Sequence, residues 1–213
     1  MDIEQMRRDA ERPVRALPAD MSDVAADLAA AFADDPLFDW FSRPDARRDA
    51  ARLRFFRFFM TSVVAANGET LRPASGGGAA VWMGSETQGP NSLIDELRAL
   101  PALLGLTGWG RFGRLARLRE VMDRAHPMDR PHAYLWFLGV TPDAQGHGIG
   151  SRLLKAKLDQ LDENGTPAFL ETATERNVAL YRRHGFDVIK QYRADPDGPP
   201  MWAMWREAPG SGG

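Results

Sequence analysis

A strand, a glycine-rich segment and a helix follow one another without a break in the second half of this chain. The segment 131–140, PHAYLWFLGV, is rich in aromatic and branched residues and predicts a central strand. The segment 149–165, IGSRLLKAKLDQLDENG, places leucines at helical spacing and ends at a glycine, which predicts a helix. Residues 145–151, which precede this helix and include its first residues, read QGHGIGS, and we call this segment the glycine turn. A strand that leads through glycines directly into a helix predicts an α/β fold.

The glycine turn has two interpretations that its composition leaves open. The start of a helix has four unpaired N–H groups and a partial positive charge, so it attracts phosphate groups. Glycines let such a backbone approach the anion closely, which favours a pocket for a pyrophosphate. Alternatively, the glycines only allow positive φ angles in a tight connection. Two common phosphate loops do not fit, because the segment has no lysine and Ser151 stands where a dinucleotide-binding loop needs its third glycine.

Composition argues against several other classes of protein. The 213 residues are 44% hydrophobic, which is enough for one domain with a sizeable core. The 27 basic and 29 acidic residues are mixed along the chain, so the net charge of -2 predicts neither a nucleic-acid partner nor a membrane partner. The chain has no cysteine, and its four histidines lack the i, i+4 pairing of a helical zinc motif. We therefore predict no metal site.

The two ends of the chain are predicted to be irregular. The first residues are charged and have no apolar core, so residues 1–12 are expected to be a flexible leader rather than a signal peptide or a membrane anchor. Glycines and a serine predict a flexible tail over residues 208–213. No linker or repeat interrupts the body of the chain. Residues 1–207 are therefore expected to form a single domain of a cytoplasmic protein.

Periodicity and turn signals predict the remaining elements. A helix capped by Ser22 is expected to stop before Pro36. Arg111, Arg114 and Arg117 are expected to form the solvated face of a helical hairpin, and binding of an anionic ligand is their alternative role. The predicted segments are a short strand in 12–17, helices in 22–36, 46–67, 91–125 and 175–185, two strands in 68–84, and strands in 167–172, 186–194 and 199–207.

Two motifs in the second half resemble those of a known family. Gln145, Gly148 and Gly150 match the pattern Gln/Arg-x-x-Gly-x-Gly/Ala, which resembles the acetyl-CoA-binding motif of the GNAT superfamily of N-acetyltransferases. Downstream, ETATERNVALYRRHGF (171–186) resembles that family's second cofactor segment. The upstream segments AAFADDPLF and AAVWM are similar to those of bacterial puromycin N-acetyltransferase and its small-molecule relatives. The resemblance implies a single-domain α/β GNAT fold, with flanking helices and a mixed central sheet that is splayed at the acetyl-CoA-binding strands.

The same resemblance implies acetyl-CoA as the acetyl donor and assigns the residues that bind it. In this family, main-chain groups at the end of the first motif strand hold the pantetheine arm, and the following turn binds the pyrophosphate. Asn177 matches the residue that touches the pantetheine arm, although polar residues are also ordinary in a first helical turn. The predicted cofactor-binding residues are Leu138, Gly139, Val140, Gln145, Gly146, His147, Gly148, Ile149, Gly150, Ser151 and Asn177.

Acetyl transfer to an amine needs a base for the amine proton and an acid for the departing thiolate. Tyr181 lies four residues beyond Asn177 on the same helix face, where the family's tyrosine acts as general acid, and packing is its alternative role. Glu171 lies near the end of an apolar strand, where a buried carboxylate needs a purpose or a partner, so it is the first choice for the base. An ion pair with an arginine is the alternative for Glu171. His132 is the second choice for the base, and transfer through water is also open.

The predicted function is acetyl-CoA-dependent N-acetylation of a primary amine on a small molecule, by direct transfer in a ternary complex. In this family the first helices and the segment before the strand at 131–140 shape the acceptor pocket. The corresponding residues in this chain are Phe32, Asp34, Asp35, Phe38, Trp40 and the segment 91–125. The run Asp34-Asp35-Pro36, followed by aromatic residues, predicts either a site for a cation with a flat ring or an ordinary helix end with apolar anchors. Acetylation of a protein or peptide and non-catalytic binding of acyl-CoA are the alternative functions. A homodimer is compatible with all of them.

Overall fold

The computed structural model describes residues 2–85 and 93–209, in which helices surround one seven-stranded sheet. The helices are α1 (Ile3–Glu11), α2 (Met21–Ala31), α3 (Pro36–Phe41), α4 (Arg48–Phe58), α5 (Ala65–Asn67), α6 (Leu93–Ala125), α7 (Ile149–Glu163) and α8 (Glu175–Arg182). The strands are β1 (Val14–Arg15), β2 (Gly68–Arg72), β3 (Gly78–Gly84), β4 (Ala133–Val140), β5 (Ala168–Thr172), β6 (Asp187–Tyr192) and β7 (Met201–Arg206). A π-helical turn, Phe59–Val64, joins α4 to α5.

The sheet opens between its two parallel strands. Its strands lie in the order β1-β2-β3-β4-β5-β7-β6, and all neighbouring pairs are antiparallel except β4 and β5. β4 and β5 pair over three residues only, and the last pair is Leu135 opposite Leu170. Beyond Leu135, β4 continues to Val140 with only β3 as a strand partner among the described residues. The predicted α/β fold with a mixed, splayed sheet is thereby confirmed.

A β-bulge in β4 determines which side chains lie beside this opening. Val81 of β3 lies opposite Phe137 and Trp82 lies opposite Leu135, so Trp136 is an extra residue on β4. Strict alternation would put Trp136 and Phe137 on opposite faces of the sheet. Because of the bulge, both pack against the same hydrophobic core, with ring centroids 4.8 Å apart.

The two faces of the sheet carry two different hydrophobic cores. One face packs against α2, α3, α4 and α6 and is rich in phenylalanine, including Phe38 and Phe56, whose stacked rings are 5.5 Å apart. The other face packs against α1, α7 and α8, and leucines of α7 dominate it together with Met6 and Phe186. Apolar burial on both faces stabilises the sheet and fixes the positions at which β4 and β5 diverge.

The flexible leader predicted over residues 1–12 is instead the helix α1, which corrects that prediction. The Asp2 carboxylate caps this helix by accepting hydrogen bonds from two backbone N–H groups, at 3.0 and 3.3 Å. Met6 and Ala10, which are one helical turn apart, are fully buried in the core that contains α7. These two apolar residues pack the helix against the core. The other faces of the helix carry charged residues, so the spacing of two apolar residues is too short a pattern to predict the helix from the sequence.

Two further predictions change in detail, and the other predicted helices and strands are confirmed. Ser22 does not cap α2, because that helix already begins at Met21, directly after a 3-10 turn. The hairpin predicted over 91–125 is a helical segment that breaks at Gly108, where φ is 64° and ψ is 172°. Only a glycine adopts such a backbone conformation without strain.

Some predictions fall on residues that the structure does not describe. Residues 91–92 of the predicted hairpin and residues 210–213 of the predicted tail lie outside the described ranges. Within residues 2–85 and 93–209, no helix has both the length and the apolar character needed to cross a membrane. The same ranges contain no group of three His, Asp or Glu side chains that could hold a metal ion.

Candidate active site

A cavity lies where β4 and β5 diverge, and we call it the central cavity. The two strands line it with residues 134–138 and 171–173, and α8 adds Asn177 and Tyr181. The opposite wall comes from the turn between α2 and α3, from α3, from α6 and from β7. That wall consists of Phe32, Asp35, Leu37, Phe38, Met122 and Met201.

The glycine turn follows β4 and presents unpaired backbone donors. Gly146 and Gly148 have φ angles of 83° and 75°, so both adopt the left-handed conformation that favours glycine. In the described part of the chain, the N–H groups of residues 146–151 have no backbone acceptor. The Gln145 side chain donates to the Val140 carbonyl oxygen at 3.1 Å and so ties the turn to the strand. Neighbouring N–H groups at a helix start form a site for an anion such as a pyrophosphate.

The glycine turn packs on the end of β4, next to a residue that lines the central cavity. A Cβ atom at Gly150 would lie 3.5 Å from the Val140 side chain and 3.9 Å from that of Leu138, so the start of α7 packs on the end of this strand. Leu138 also lines the central cavity. On the other side, a Cβ atom at Gly139 would lie 2.9 Å from side-chain atoms of α2, so the strand backbone packs directly on that helix.

The remaining residues predicted to bind the cofactor differ in what they can offer a ligand. Ile149 is fully buried in the core, so its N–H group rather than its side chain is available. His147 is exposed, whereas Ser151 is bonded to His184, with Ser151 Oγ 2.6 Å from His184 Nε2. Burial lowers the pKa of His184, which keeps this imidazole neutral at neutral pH. Asn177 lies in the first turn of α8 and lines the central cavity.

Glu171 is held at the end of β5 by two tyrosines. The Tyr192 hydroxyl donates to Glu171 Oε1, and the Tyr134 hydroxyl donates to Oε2 at 3.3 Å. Burial raises the pKa of Glu171 to about 7, while the two hydrogen bonds act in the opposite direction. A carboxyl group with this pKa can take up a proton and release it near neutral pH, as a general base must. Among the described residues, no arginine forms an ion pair with Glu171.

Tyr181 lines the same cavity from α8. Tyr181 is 6% exposed, and burial raises the pKa of its phenol above the ordinary value of 10.0. The negative charge of the nearby Asp35 raises this pKa further. The phenol therefore stays protonated throughout the neutral range and can act as a proton donor. Glu171, Asn177 and Tyr181 thus come together in one cavity.

His132, the second choice for the base, is not among the residues that line the central cavity. Its Nε2 atom is 3.0 Å from Nε2 of His126, and its Nδ1 atom is 2.7 Å from the Arg130 carbonyl oxygen. Phe169 and Trp205 pack edge-on against its ring. Burial lowers the pKa of both histidines, that of His126 to about 4, so both are neutral at pH 7. The structure therefore favours a packing role for His132.

The arginines of α6 bind neighbouring elements, and the predicted solvated face holds for Arg117, which is exposed, but not for Arg111 and Arg114, which are half-buried. Arg111 and Arg114 donate to backbone carbonyl groups at the end of α3, at 2.6 to 2.8 Å. Arg114 also pairs with Asp197 at 2.7 Å, and Arg117 pairs with Asp195. These contacts fasten α3 and the connection between β6 and β7 to α6, next to the wall of the central cavity.

Tyr192 is the site residue that the sequence did not indicate. It lies 21 residues from Glu171 and belongs to β6, which is separated from β5 by β7 in the sheet. One compositional signal was available, because the chain has only three tyrosines. Two of them, Tyr134 and Tyr181, line the central cavity, and the third donates to Glu171.

Comparison with known protein families shows which family has a similar sequence in this region. Residues 102–186, which include β4, the glycine turn, β5 and α8, match the acetyltransferase (GNAT) family. Over these residues the chain is similar to the GNAT acetyltransferases. GNAT acetyltransferases use acetyl-CoA as the acetyl donor. The unpaired N–H groups of the glycine turn suit the pyrophosphate of acetyl-CoA, and the opening beside β4 suits its extended arm.

Individual relatives match this chain over different lengths. The mycothiol acetyltransferase of Propionibacterium freudenreichii is 41% identical over 63 residues. These residues are 28% of this chain and 20% of the mycothiol acetyltransferase, so the match spans about a fifth of that protein. A Corynebacterium glutamicum structure, described as histone acetyltransferase HPA2 and related acetyltransferase, is 26% identical with a TM-score of 0.66, covering 92% of this chain and 96% of that chain. Arylalkylamine N-acetyltransferase 2 of Aedes aegypti is 14% identical with a TM-score of 0.63, covering 92% and 98% of the two chains, and it shows the shared fold alone.

Proposed function

We propose that this GNAT domain transfers an acetyl group from acetyl-CoA to a primary amine of a small molecule. One observation carries the proposal: Glu171 and Tyr181 line a single cavity together with Leu138, and the start of α7 in the glycine turn packs on Leu138. A base and an acid in one space suit a reaction in which a nitrogen loses a proton and a sulfur gains one. The name of the mycothiol acetyltransferase, which refers to a small molecule, supports this class of acceptor.

In this proposal, the backbone holds most of the donor. The N–H groups of residues 146–151 bind the pyrophosphate. Among the described residues, β4 has no strand partner on the side of β5 beyond Leu135, so peptide groups on that side can pair with the amides of the pantetheine arm. Asn177 contacts the same arm from α8.

The side chains carry out the proton transfers. Glu171 takes a proton from the ammonium form of the acceptor, directly or through water, and this exposes the nitrogen lone pair. A bond forms between the amine nitrogen and the acetyl carbon, and the carbon–sulfur bond breaks. Tyr181 gives its proton to the sulfur and regains one from the nitrogen, while Glu171 returns its proton to water. Because both substrates occupy the central cavity together, transfer is direct and takes place in a ternary complex.

Release of free CoA tests the proposal. Purified protein is mixed with acetyl-CoA and a panel of small amines and short peptides, and turnover with a small amine is expected. Tyr181→Phe keeps the ring and should bind acetyl-CoA normally, but its kcat should fall roughly 100-fold because the proton donor is lost. Turnover with peptides alone would assign the acceptor to a protein. Tight binding of acetyl-CoA without CoA release in any mixture would overturn the catalytic proposal and favour an acyl-CoA sensor.

A further inference from the structure

The side chains that line the central cavity carry negative charge and apolar surface. Two carboxylates face it, Asp35 from the turn between α2 and α3 and Glu171 from β5. Most of the other lining side chains are aliphatic or aromatic. Among the described residues that line the cavity, none is a lysine, an arginine or a histidine. An anionic acceptor would therefore find no charge partner here, whereas a cation would find two.

Asp35 has one carboxylate oxygen that is free to bind a ligand. Its Oδ1 atom caps α3 by accepting hydrogen bonds from the N–H groups of Leu37 and Phe38, at 2.9 and 3.0 Å. Its Oδ2 atom receives no hydrogen bond from the described residues. Burial raises the pKa of Asp35, because its charge is removed from water, and no cation among the described residues compensates it. A bound ammonium group would supply that compensation.

The wall beside Asp35 is aromatic. Phe32 and Phe38 line the cavity with ring centroids 5.3 Å apart, and Phe137 lies edge-on to Phe32 at 5.8 Å. The bulge in β4 adds Trp136 to the same wall. Such rings bind a flat or apolar body by dispersion and edge-to-face contacts. A sugar-like acceptor would instead leave many hydroxyl groups without hydrogen-bond partners against this wall.

We infer that the acceptor is a cationic primary amine on an aromatic or apolar body that carries no carboxylate or phosphate. The inference rests on the proposed acetyl transfer and adds the chemistry of the acceptor. Asp35 attracts the ammonium group, the aromatic wall holds the body, and Glu171 removes the proton. An acceptor carboxylate is rejected, because it would be placed near Asp35 and Glu171 with no cation between them.

Matched amines test the selection by charge. Phenylalaninol and phenylalanine share the ring, the branching and the primary amine, and differ in a hydroxymethyl group or a carboxylate. We expect kcat/KM for CoA release to be roughly 100-fold higher with phenylalaninol, because like charges repel in the cavity. Equal values would overturn the inference and leave acetyl transfer itself intact. Absence of CoA release with every amine would instead overturn the proposed function.

A second pair of amines tests the apolar body. We expect 2-phenylethylamine to have a higher kcat/KM than glucosamine, because only the former pairs an ammonium group with a ring that the aromatic wall can contact. A preference for glucosamine would overturn this part of the inference.

Asp35→Asn separates the charge of Asp35 from its capping role. Asparagine caps helices as well as aspartate does, so α3 keeps its start. We expect KM for 2-phenylethylamine to rise roughly tenfold and the preference for phenylalaninol over phenylalanine to shrink, while KM for acetyl-CoA stays unchanged. Asp34→Asn is the matched control, since Asp34 is exposed and does not line the cavity. Equal effects of the two substitutions would remove Asp35 from acceptor binding.

Discussion

The glycine turn and the central cavity, which we propose as the donor end and the acceptor end of the active site, are suited to ligands by different means. At the donor end, the glycine turn offers backbone N–H groups, and the Ile149 side chain is buried away from the ligand site. At the acceptor end, carboxylates and aromatic rings from several elements face one cavity. A backbone site depends on local conformation, whereas a side-chain site depends on which elements pack together. Substitutions can therefore change the acceptor end while the donor end stays intact.

Of these substitutions, replacement of Glu171 should lower kcat the most, and it should leave the binding of acetyl-CoA at the donor end unchanged. Glu171→Gln keeps the shape of the side chain but cannot take a proton. We expect kcat to fall by roughly 100-fold to 10,000-fold, with KM for acetyl-CoA unchanged, when CoA release is measured at pH 8. A variant that keeps the kcat of the unmodified protein would show that Glu171 is not the base.

The same variant also has a predicted effect on stability. Burial raises the pKa of Glu171 from 4.5 in the unfolded chain to about 7, so the folded state loses stability as pH rises between these values. Glutamine has no such proton equilibrium. Glu171→Gln should therefore raise Tm at pH 8, and the difference should disappear below about pH 4.5. A lower Tm at pH 8 would contradict a destabilising burial of the charge.

A substitution at Gly148 should affect the donor end alone. Gly148→Ala puts a side chain where φ is 75°, which costs about 1 to 2 kcal/mol of stability, and its Cβ would lie 2.6 Å from the Arg152 guanidinium. We expect KM for acetyl-CoA to rise roughly tenfold, as the N–H groups move, with little change in kcat. Gly113→Ala is the control, because a Cβ there meets no atom within 4 Å. A rise in KM for both variants would mean that the loss is not local to the glycine turn.

Removing one tyrosine hydroxyl should adjust the acceptor end without destroying it. Tyr192→Phe deletes a hydrogen bond that lowers the pKa of Glu171, so that pKa should rise. The acid limb of the pH profile of kcat/KM, expected near pH 7, should move upward by roughly one pH unit. Tyr134→Phe removes the longer bond of 3.3 Å and should give a smaller shift. Unchanged profiles in both variants would show that these hydroxyls do not act on the base.

The smallest effects are expected at the ion pairs of α6. Arg117 pairs with Asp195 from an exposed position, so Arg117→Ala should lower the free energy of unfolding in urea by less than about 1 kcal/mol. Arg114 also donates to the Trp40 carbonyl oxygen and lies over the Trp40 ring. Arg114→Ala should therefore lower the free energy of unfolding by about 1 to 2 kcal/mol. A larger loss of unfolding free energy in Arg117→Ala than in Arg114→Ala would mean that the hydrogen bond from Arg114 to the Trp40 carbonyl oxygen does not stabilise the fold.

Local features could be predicted from the sequence, and distant contacts could not. The strand, the glycine turn and the helix follow from composition and spacing within one short stretch, and the structure contains all three. The bonds to Glu171 come from residues 37 and 21 positions away, and they depend on the order of the strands. The aspartates that bind Arg114 and Arg117 lie 83 and 78 residues further along the chain. Spacing within a segment contains no information about such partners.

The position of β7 within the sheet has a consequence for how this domain is made. β7 lies between β5 and β6, although both of those strands leave the ribosome before it. Until β7 is synthesised, β5 has an open edge and the phenylalanine-rich core lacks part of its cover, and such surfaces promote association between nascent chains. Tyr192 cannot be placed beside Glu171 before that strand pairs. The proposed catalytic arrangement therefore forms only after β7 has paired with both of its neighbours, and a chain that lacks β7 would expose apolar surface and lose the support for the contact between Tyr192 and Glu171.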